Sequence, residues 1–273
     1  MSLIGRILKK NAENENLQLC DLHCHLLPYV DDGATDMEEA CAMLKSEYAQ
    51  GVRTIVITTH LRTGFFDTPA DKVQKHYLQL QEWARQDGLF DLKILQSREY
   101  YCDERLWTLL RGYADGVREV VYEGVSFDPQ KEILPFGIRK CILLEFSDRR
   151  EQKNEMKQFV RAVSAAGLTP VLAHVERYPA VQQEYNLLNE LRQMGAMVQI
   201  NAEAVMGREG RLQRELTHAL IREQLADLVA SDAHHAEKRK PDLQECYRYI
   251  NRKFNAVCGK QLLYAGPYHL IHE

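Results

Sequence analysis

Seven short apolar runs punctuate this 273-residue chain, and nearly every one ends in a histidine, an aspartate or a glutamate. The runs are 19–23, 53–58, 92–96, 141–145, 169–173, 197–200 and 227–230. Stretches such as Ile55-Val56-Ile57 and Ile142-Leu143-Leu144 are apolar on both faces, the pattern of parallel strands covered by helices. Amphipathic stripes lie between them. Met37, Ala40, Cys41, Leu44 and Tyr48 recur at helical spacing, with Thr35 and Glu38 placed as a capping box and Gly51 as the stop. Thr68-Pro69 puts proline at the first helical position of a stripe carrying Val73, Tyr77, Leu80 and Ala84. Met156, Phe159, Val160 and Val163 form the next stripe, then Val181, Tyr185, Leu188 and Leu191, then Leu212, Leu216, Ala219 and Leu220. Leu243, Cys246, Tyr247, Ile250 and Phe254 form the last. Each stripe reads as core packing.

Strand–helix alternation of this kind builds an α/β fold, either an open doubly wound sheet or a closed barrel. No GxGxxG or GxxxxGK[ST] motif occurs, which argues against dinucleotide and P-loop chemistry. Thirty-five basic side chains against thirty-nine acidic ones leave a formal charge of −4 and no nucleic-acid footprint. No apolar run approaches the roughly 18 residues of a membrane span. The seven scattered cysteines read as reduced thiols of a cytoplasmic protein. Cys20 and Cys24 lack a second pair to complete a zinc knuckle. Cys246 and Arg252 stand at Cys-x5-Arg spacing, but inside the last helical stripe rather than in a phosphate loop, so no cysteine reads as a phosphatase nucleophile. Residues 1–18 read as an N-terminal extension without the h-region and cleavage site of a signal peptide. Residues 19–273 read as one domain. The stretch 113–140 is too long for a plain connection and reads as an insertion, a lid or a packing surface.

The strand ends carry the chemistry. The first gives Asp21-Leu22-His23-Cys24-His25, the second Thr58-Thr59-His60, the third Ser97-Arg98-Glu99 and the fourth Leu144-Glu145-Phe146. The fifth gives Ala173-His174 followed by Glu176-Arg177-Tyr178, and the seventh Ser231-Asp232-Ala233-His234. Residues two apart on a strand point the same way, so His23 with His25, and Asp232 with His234, can each offer two groups to one spot. In a closed barrel the carboxyl ends of all strands converge on one face. His76, His218, His269 and His272 read as core or surface residues, and His235 as pointing away from its neighbour. Buried carboxylates need partners. Here the strand ends supply imidazoles, which are metal ligands when neutral. His23, His25, Asp32, His60, Glu99, Glu145, His174, Asp232 and His234 are too many for one ion and suit two or three. Mixed imidazole and carboxylate sets favour Mn, Fe or Zn. Against three divalent ions, the four carboxylates leave a formal surplus of about two positive charges, which suits a hydroxide and a phosphate ester.

These motifs together resemble a known family. Asp-Leu-His-Cys-His-Leu-Leu-Pro-x-Val-Asp-Asp-Gly at 21–33, Thr-Thr-His at 58–60 and Ser-Arg-Glu-Tyr-Tyr at 97–101 carry the resemblance. So do Leu-Leu-Glu-Phe at 143–146, Pro-Val-Leu-Ala-His-Val-Glu-Arg-Tyr at 170–178, Gln-Ile-Asn-Ala at 199–202 and Ala-Ser-Asp-Ala-His-His at 230–235. From about residue 19 onward the chain is similar to the bacterial tyrosine-protein phosphatases of the polymerase and histidinol phosphatase (PHP) superfamily, of the capsule and exopolysaccharide type.

The resemblance implies a distorted seven-stranded (β/α)7 barrel and a trinuclear centre. Mn is the first expectation for the metal, with Fe, Zn or Mg as alternatives. One ion would take His23, His25, Glu99 and Asp232. A second would share Glu99 and take Glu145 and His174, and a third would take Asp32, His60 and His234. Arg177 and Arg239 would bind the phosphate, Arg177 otherwise pairing with Glu176. The implied reaction is direct attack on phosphotyrosine by a metal-bridging hydroxide, without a phospho-enzyme. The implied partner is the tail of a bacterial tyrosine kinase of polysaccharide synthesis, acted on by a monomer or a homo-oligomer. Val175 stands where proline is common, Arg98 where a small residue is frequent, and the 113–140 stretch is long. Two other readings follow: a histidinol-phosphate or other small-phosphoester phosphatase, or a metal-loaded regulator whose centre Arg98 and the insertion block.

Overall fold

The computed structural model of the protein describes residues 18–147 and 152–272, so residues 1–17 of the expected extension lie outside the described residues. All seven apolar runs form strands. In chain order the strands are β1 (Leu19–Cys24), β2 (Val52–Leu61), β3 (Lys93–Tyr101), β4 (Val120–Tyr122), β5 (Val125–Phe127), β6 (Cys141–Glu145), β7 (Thr169–Leu172), β8 (Met197–Asn201) and β9 (Leu228–Ala230). β2 and β3 run well past their apolar stretches: near their ends His60 and Glu99 face a polar centre, while Leu61 and Tyr100 keep to the core.

Seven of these strands form one sheet in the order β1-β2-β3-β6-β7-β8-β9. Each neighbouring pair is parallel. The sheet curls until its edges meet. Cys24 and Ala233 form a parallel bridge, the His25 N–H donates to the Ala233 carbonyl, and the Asp232 N–H donates to the His23 carbonyl, both at 2.8 Å. The result is a nearly closed barrel rather than an open sheet.

Two apolar layers follow from the alternation of side chains. Cys20, Leu22, Val56, Leu143, Val171, Ala173, Leu228 and Ala230 fill the interior, where Phe136, Leu270 and Ile271 join them. The opposite faces pack on the helices. Each fully buried leucine contributes about 1.5–3 kcal/mol of transfer free energy. Gly137 lets a loop seat against the last helix: its φ is +67°, and a Cβ there would lie 2.2 Å from the Leu270 carbonyl oxygen.

The helices depart from expectation locally. The first, Met37–Ala49, is capped one residue later than Thr35/Glu38. Asp36 accepts from the Glu39 N–H, and Glu39 reaches back to the Thr35 N–H and hydroxyl, both at 2.8 Å. Pro69 sits at the N-cap of Ala70–Gln86 rather than inside it. The stripe from Val181 to Leu191 breaks into Pro179–Gln183 and Asn186–Gln193, because Glu184 leaves helical geometry. The break exposes Tyr185 and lets Leu187, Leu188 and Leu191 all face inward. Leu212 is exposed, and Thr217, His218 and Ile221 join Leu216 and Leu220 inside. Beyond Leu243–Lys253, helical turns continue from Ala256 to His272, which the spacing does not anticipate.

The 113–140 stretch is not irregular throughout. β4 and β5 form a hairpin whose two turn residues, Glu123 and Gly124, have φ of +48° and +79°, as a two-residue turn requires. A short helix, Pro129–Glu132, follows. All seven cysteines are free. Among the described residues, no helix is long and apolar enough to cross a membrane.

Candidate metal centre

Strand register assembles the centre. β2 and β3 pair so that His60 lies beside Glu99, and β3 and β6 pair so that Tyr101 lies beside Glu145. The seam between β9 and β1 brings Asp232 against His23. Glu99 is the hub. Its Oε2 lies 3.1 Å from His23 Nε2, 3.2 Å from His25 Nε2 and 3.2 Å from His60 Nδ1. Its Oε1 lies 2.9 Å from His174 Nε2. Asp232 Oδ1 is 3.3 Å from His23 Nε2 and 3.6 Å from His25 Nε2. Glu145 Oε2 is 3.7 Å from His60 Nδ1. On the solvent side, Asp32 Oδ1 is 3.5 Å from both His60 Nε2 and His234 Nε2. All nine expected residues therefore meet. They form four overlapping groups, each with its donor atoms within 4.8 Å of one another: His23-His25-Asp232, His23-Glu99-His174, His60-Glu99-Glu145 and His25-Asp32-His60-His234.

The donor set fits divalent ions. Ligand atoms about 2.1 Å from a shared cation lie roughly 3–3.5 Å apart, which is the spacing found here. Three imidazoles are held by their outer nitrogens. His23 Nδ1 faces Gln199 Oε1 at 3.2 Å, His25 Nδ1 faces Asp31 Oδ2 at 2.9 Å, and His234 Nδ1 faces the Asp232 carbonyl at 2.9 Å. A proton held on each Nδ1 leaves the Nε2 lone pair aimed inward, as ligating histidines need. His60 Nδ1, Glu145 Oε2 and His234 Nε2 are buried without a hydrogen-bond partner among the described residues, an arrangement a bound cation would relieve.

The charges agree with that geometry. Burial would raise Glu99, but His23 and His60 outweigh it and hold the carboxyl well below the usual range. Burial would likewise raise Asp232, and His23, Arg177 and Arg239 hold it well below. Glu145 is relieved less: burial and the neighbouring Glu99 outweigh the pull of Arg62 and push it up to about 8. Burial lowers His60 to about 4 and also lowers His174 and His234, leaving them neutral and able to ligate. His25 goes the other way, because Asp31 and Glu99 outweigh its burial.

Several contributors lie outside the expected set. Asp31 orients His25 and also accepts the His60 N–H at 2.9 Å. Its turn presses on His25 so closely that a Cβ on Gly33 would lie 2.2 Å from the His25 carbonyl oxygen. Gln199 receives the His174 N–H at 2.7 Å, and Asn201 donates to Asp232 at 2.8 Å. The adjacent acids Asp31-Asp32 and the strand-end amides were the available signals. His174 and Asp232 take left-handed backbone, with φ of +30° and +52°, which non-glycine residues adopt at a cost.

Arg177 and Arg239 both reach Asp232 Oδ2, at 2.9 Å and 2.8 Å. Arg177 forks onto Glu209 at 3.1 Å and 2.7 Å, not onto Glu176. Glu176 is buried and accepts the Asn201 N–H at 3.0 Å. Arg98 points out of the barrel, donating to the Thr68 carbonyl and pairing with Glu132 at 3.2 Å, so it does not block the centre. His235 turns outward to Glu39. A cavity of about 250 Å³ opens onto Glu145, His174 and Arg177.

A second buried acid cluster lies two residues before His23. A register irregularity between Asp21 and Cys24 turns Asp21 away from the centre, toward Ser231 and Glu47. Asp21 accepts the Ser231 N–H at 3.1 Å. Neither Glu47 oxygen meets a donor among the described residues, and burial raises both carboxyls.

Residues 19–272 match the family model for capsular polysaccharide synthesis, CpsB/CapC. The chain is 32% identical over 260 residues to tyrosine-protein phosphatase CpsB of Streptococcus pneumoniae, covering 93% of this chain and 99% of that one. It is 26% identical over 238 residues to tyrosine-protein phosphatase YwqE of Bacillus subtilis (strain 168), covering 87% and 86%. A solved structure from the YwqE and CpsB pair, described as unique metal-dependent tyrosine phosphatases, is similar with a TM-score of 0.73 and 26% identity over 92% and 91% of the chains.

Proposed function

Because the chain belongs to the CpsB/CapC family of capsular polysaccharide synthesis, we propose that it is a metal-dependent protein-tyrosine phosphatase. The observation that carries this reading is the Glu99 hub, where imidazoles and acids converge at donor spacings that suit shared cations. The expected complement is two or three divalent ions, Mn first. His23, His25, Glu99 and Asp232 would hold one, Glu99, Glu145 and His174 a second, and Asp32, His60 and His234 a third. When bound, the ions supply positive charge against phosphoryl oxygens and a water that ionises near neutral pH.

The chain's own residues do the rest. Asp31, Gln199 and the Asp232 carbonyl hold the imidazoles in one orientation. Arg177 lines the cavity, Arg239 shares Asp232 with it, and both offer N–H forks to phosphoryl oxygens as charge builds. Tyrosine leaves as a phenolate of pKa about 10 and needs little help from an acid. Oxygen from water joins phosphorus as the aryl P–O bond breaks, and no phospho-enzyme forms. The proposed substrate is a phosphotyrosyl protein, the tail of a bacterial tyrosine kinase of polysaccharide synthesis.

Chelator-dialysed protein is expected to hydrolyse neither p-nitrophenyl phosphate nor a phosphotyrosyl peptide, and Mn²⁺ is expected to restore both activities. Activity that survives complete chelation would overturn the metal reading. Faster turnover of histidinol phosphate than of phosphotyrosyl peptide would overturn the substrate assignment.

A further inference from the structure

One guanidinium at the cavity forms no ion pair among the described residues. β2 ends at Leu61, and the chain turns back on itself through Arg62–Phe66. The Phe66 N–H donates to the Arg62 carbonyl at 2.9 Å and the Arg62 N–H returns to the Phe66 carbonyl at 3.1 Å. This closed turn fixes where the Arg62 side chain starts. Two aromatic rings fix where it ends: the guanidinium carbon lies 4.4 Å from the Phe65 ring centroid and 4.3 Å from that of Tyr101. Stacking uses the faces of the guanidinium and leaves its N–H groups, which lie in the plane, free to donate. The buried Nε has no hydrogen-bond partner among the described residues.

Arg177 and Arg239, in contrast, both lean on Asp232. Arg62 and Arg177 line the same cavity of about 250 Å³, together with Glu145 and His174. β2 and β7 stand three places apart in the barrel, so the two side chains enter from different walls. A stacked, uncommitted fork at the mouth of a metal-ligand cluster is built to meet an anion.

We propose that Arg62 is a phosphate-binding residue, its N–H fork taking oxygens of an aryl phosphate while Phe65 and Tyr101 hold its plane. This rests on the phosphatase reading and adds a residue that strand-end spacing did not single out.

The test uses Mn-loaded protein and phenylphosphonate, an aryl phosphate analogue that is not hydrolysed, with binding followed by calorimetry. Arg62→Met is expected to weaken phenylphosphonate binding by about 10- to 100-fold, the range for a hydrogen bond to a charged group. Metal content and melting temperature should stay at wild-type values, and kcat/KM for the phosphotyrosyl peptide should fall in parallel. Arg62→Lys should recover part of the binding, since it keeps the charge and loses the fork. Phe65→Ala removes one stacking face from an exposed position that bears no fold, and should weaken binding about two- to fivefold. Phenylphosphonate affinity of Arg62→Met within twofold of wild type, at equal metal content, would overturn the assignment, as would wild-type protein that binds none. Wild-type protein that binds phenylphosphonate through Arg62 but releases no phosphate from the peptide would uphold Arg62 and sink the phosphatase reading.

Discussion

Two clusters of buried acid sit within a few residues of each other along β1 and end in opposite states. At the rim, Glu99 and Asp232 are 1% and 3% exposed yet stay ionised, because imidazoles and guanidinia surround them. Asp21 and Glu47 are equally buried, but they face Ser231 and each other rather than cations, and burial lifts both. Two carboxyls facing one another can hydrogen-bond only if one keeps its proton. Burial therefore does not decide the charge of an acid in this barrel. The groups that face it do. The rim is poised to take cations, and the Asp21–Glu47 pair to take a proton.

The largest expected effect breaks the rim alone. Glu99→Gln removes the hub, so bound metal should be lost and phosphotyrosyl turnover should fall by more than about a hundredfold, beyond what loss of an outer partner costs. Elemental analysis beside a phosphopeptide assay checks this. Retained metal would show that the remaining imidazoles suffice. Asp31→Asn is milder. It leaves every proposed ligand in place and weakens the hold on His25 and on the His60 N–H, so Mn²⁺ affinity should drop by about 10- to 100-fold. Competition against a chromophoric chelator measures the drop, and an unchanged affinity would make Asp31 a packing residue only.

The smallest effect sharpens the other side. The Glu47 carboxyl is raised in the folded state, so the folded chain holds its proton more tightly than the unfolded one. That stability is fully present below the ordinary carboxylate pKa of about 4 and is lost as pH rises through the raised value. Glu47→Gln should leave metal content alone and flatten the alkaline fall of the melting temperature by a few degrees, at about 2–4 °C per kcal/mol for domains of 150–250 residues. An unchanged pH–stability slope would show that the pair does not share a proton.

The barrel was legible because parallel strands must be apolar on both faces, and Ile55–Ile57 and Ile142–Leu144 announce that directly. Eight of the nine rim residues were legible because each stands at or just beyond the end of such a run; Asp32, in the turn after β1, is the exception. What escaped was set by contacts that spacing does not encode. Asp31 acts from a turn, where strand parity says nothing. Arg62 continues the parity of His60, but a lone arginine reads as a surface cation until Phe65 and Tyr101 are seen to enclose it. Glu123-Gly124 was a turn signal whose flanking strands are too short to register as a pattern. The break at Glu184 is a tertiary choice that buries three leucines in place of a continuous stripe. Arg98 looked like an obstruction only while its direction was unknown. Alternation along β3 sends it outward as surely as it sends Glu99 inward.

The seam of the barrel has a consequence for synthesis. It ties Ser231 to Asp21 across 210 positions of sequence, and the rim draws on both of its edges. A chain emerging from the ribosome makes His23 and His25 long before their neighbours on the other edge. Until β9 has cleared the exit tunnel, the nascent protein carries half a nest. Hydrolytic competence would then arrive as one late event, when the final strand slots home, rather than growing in with length.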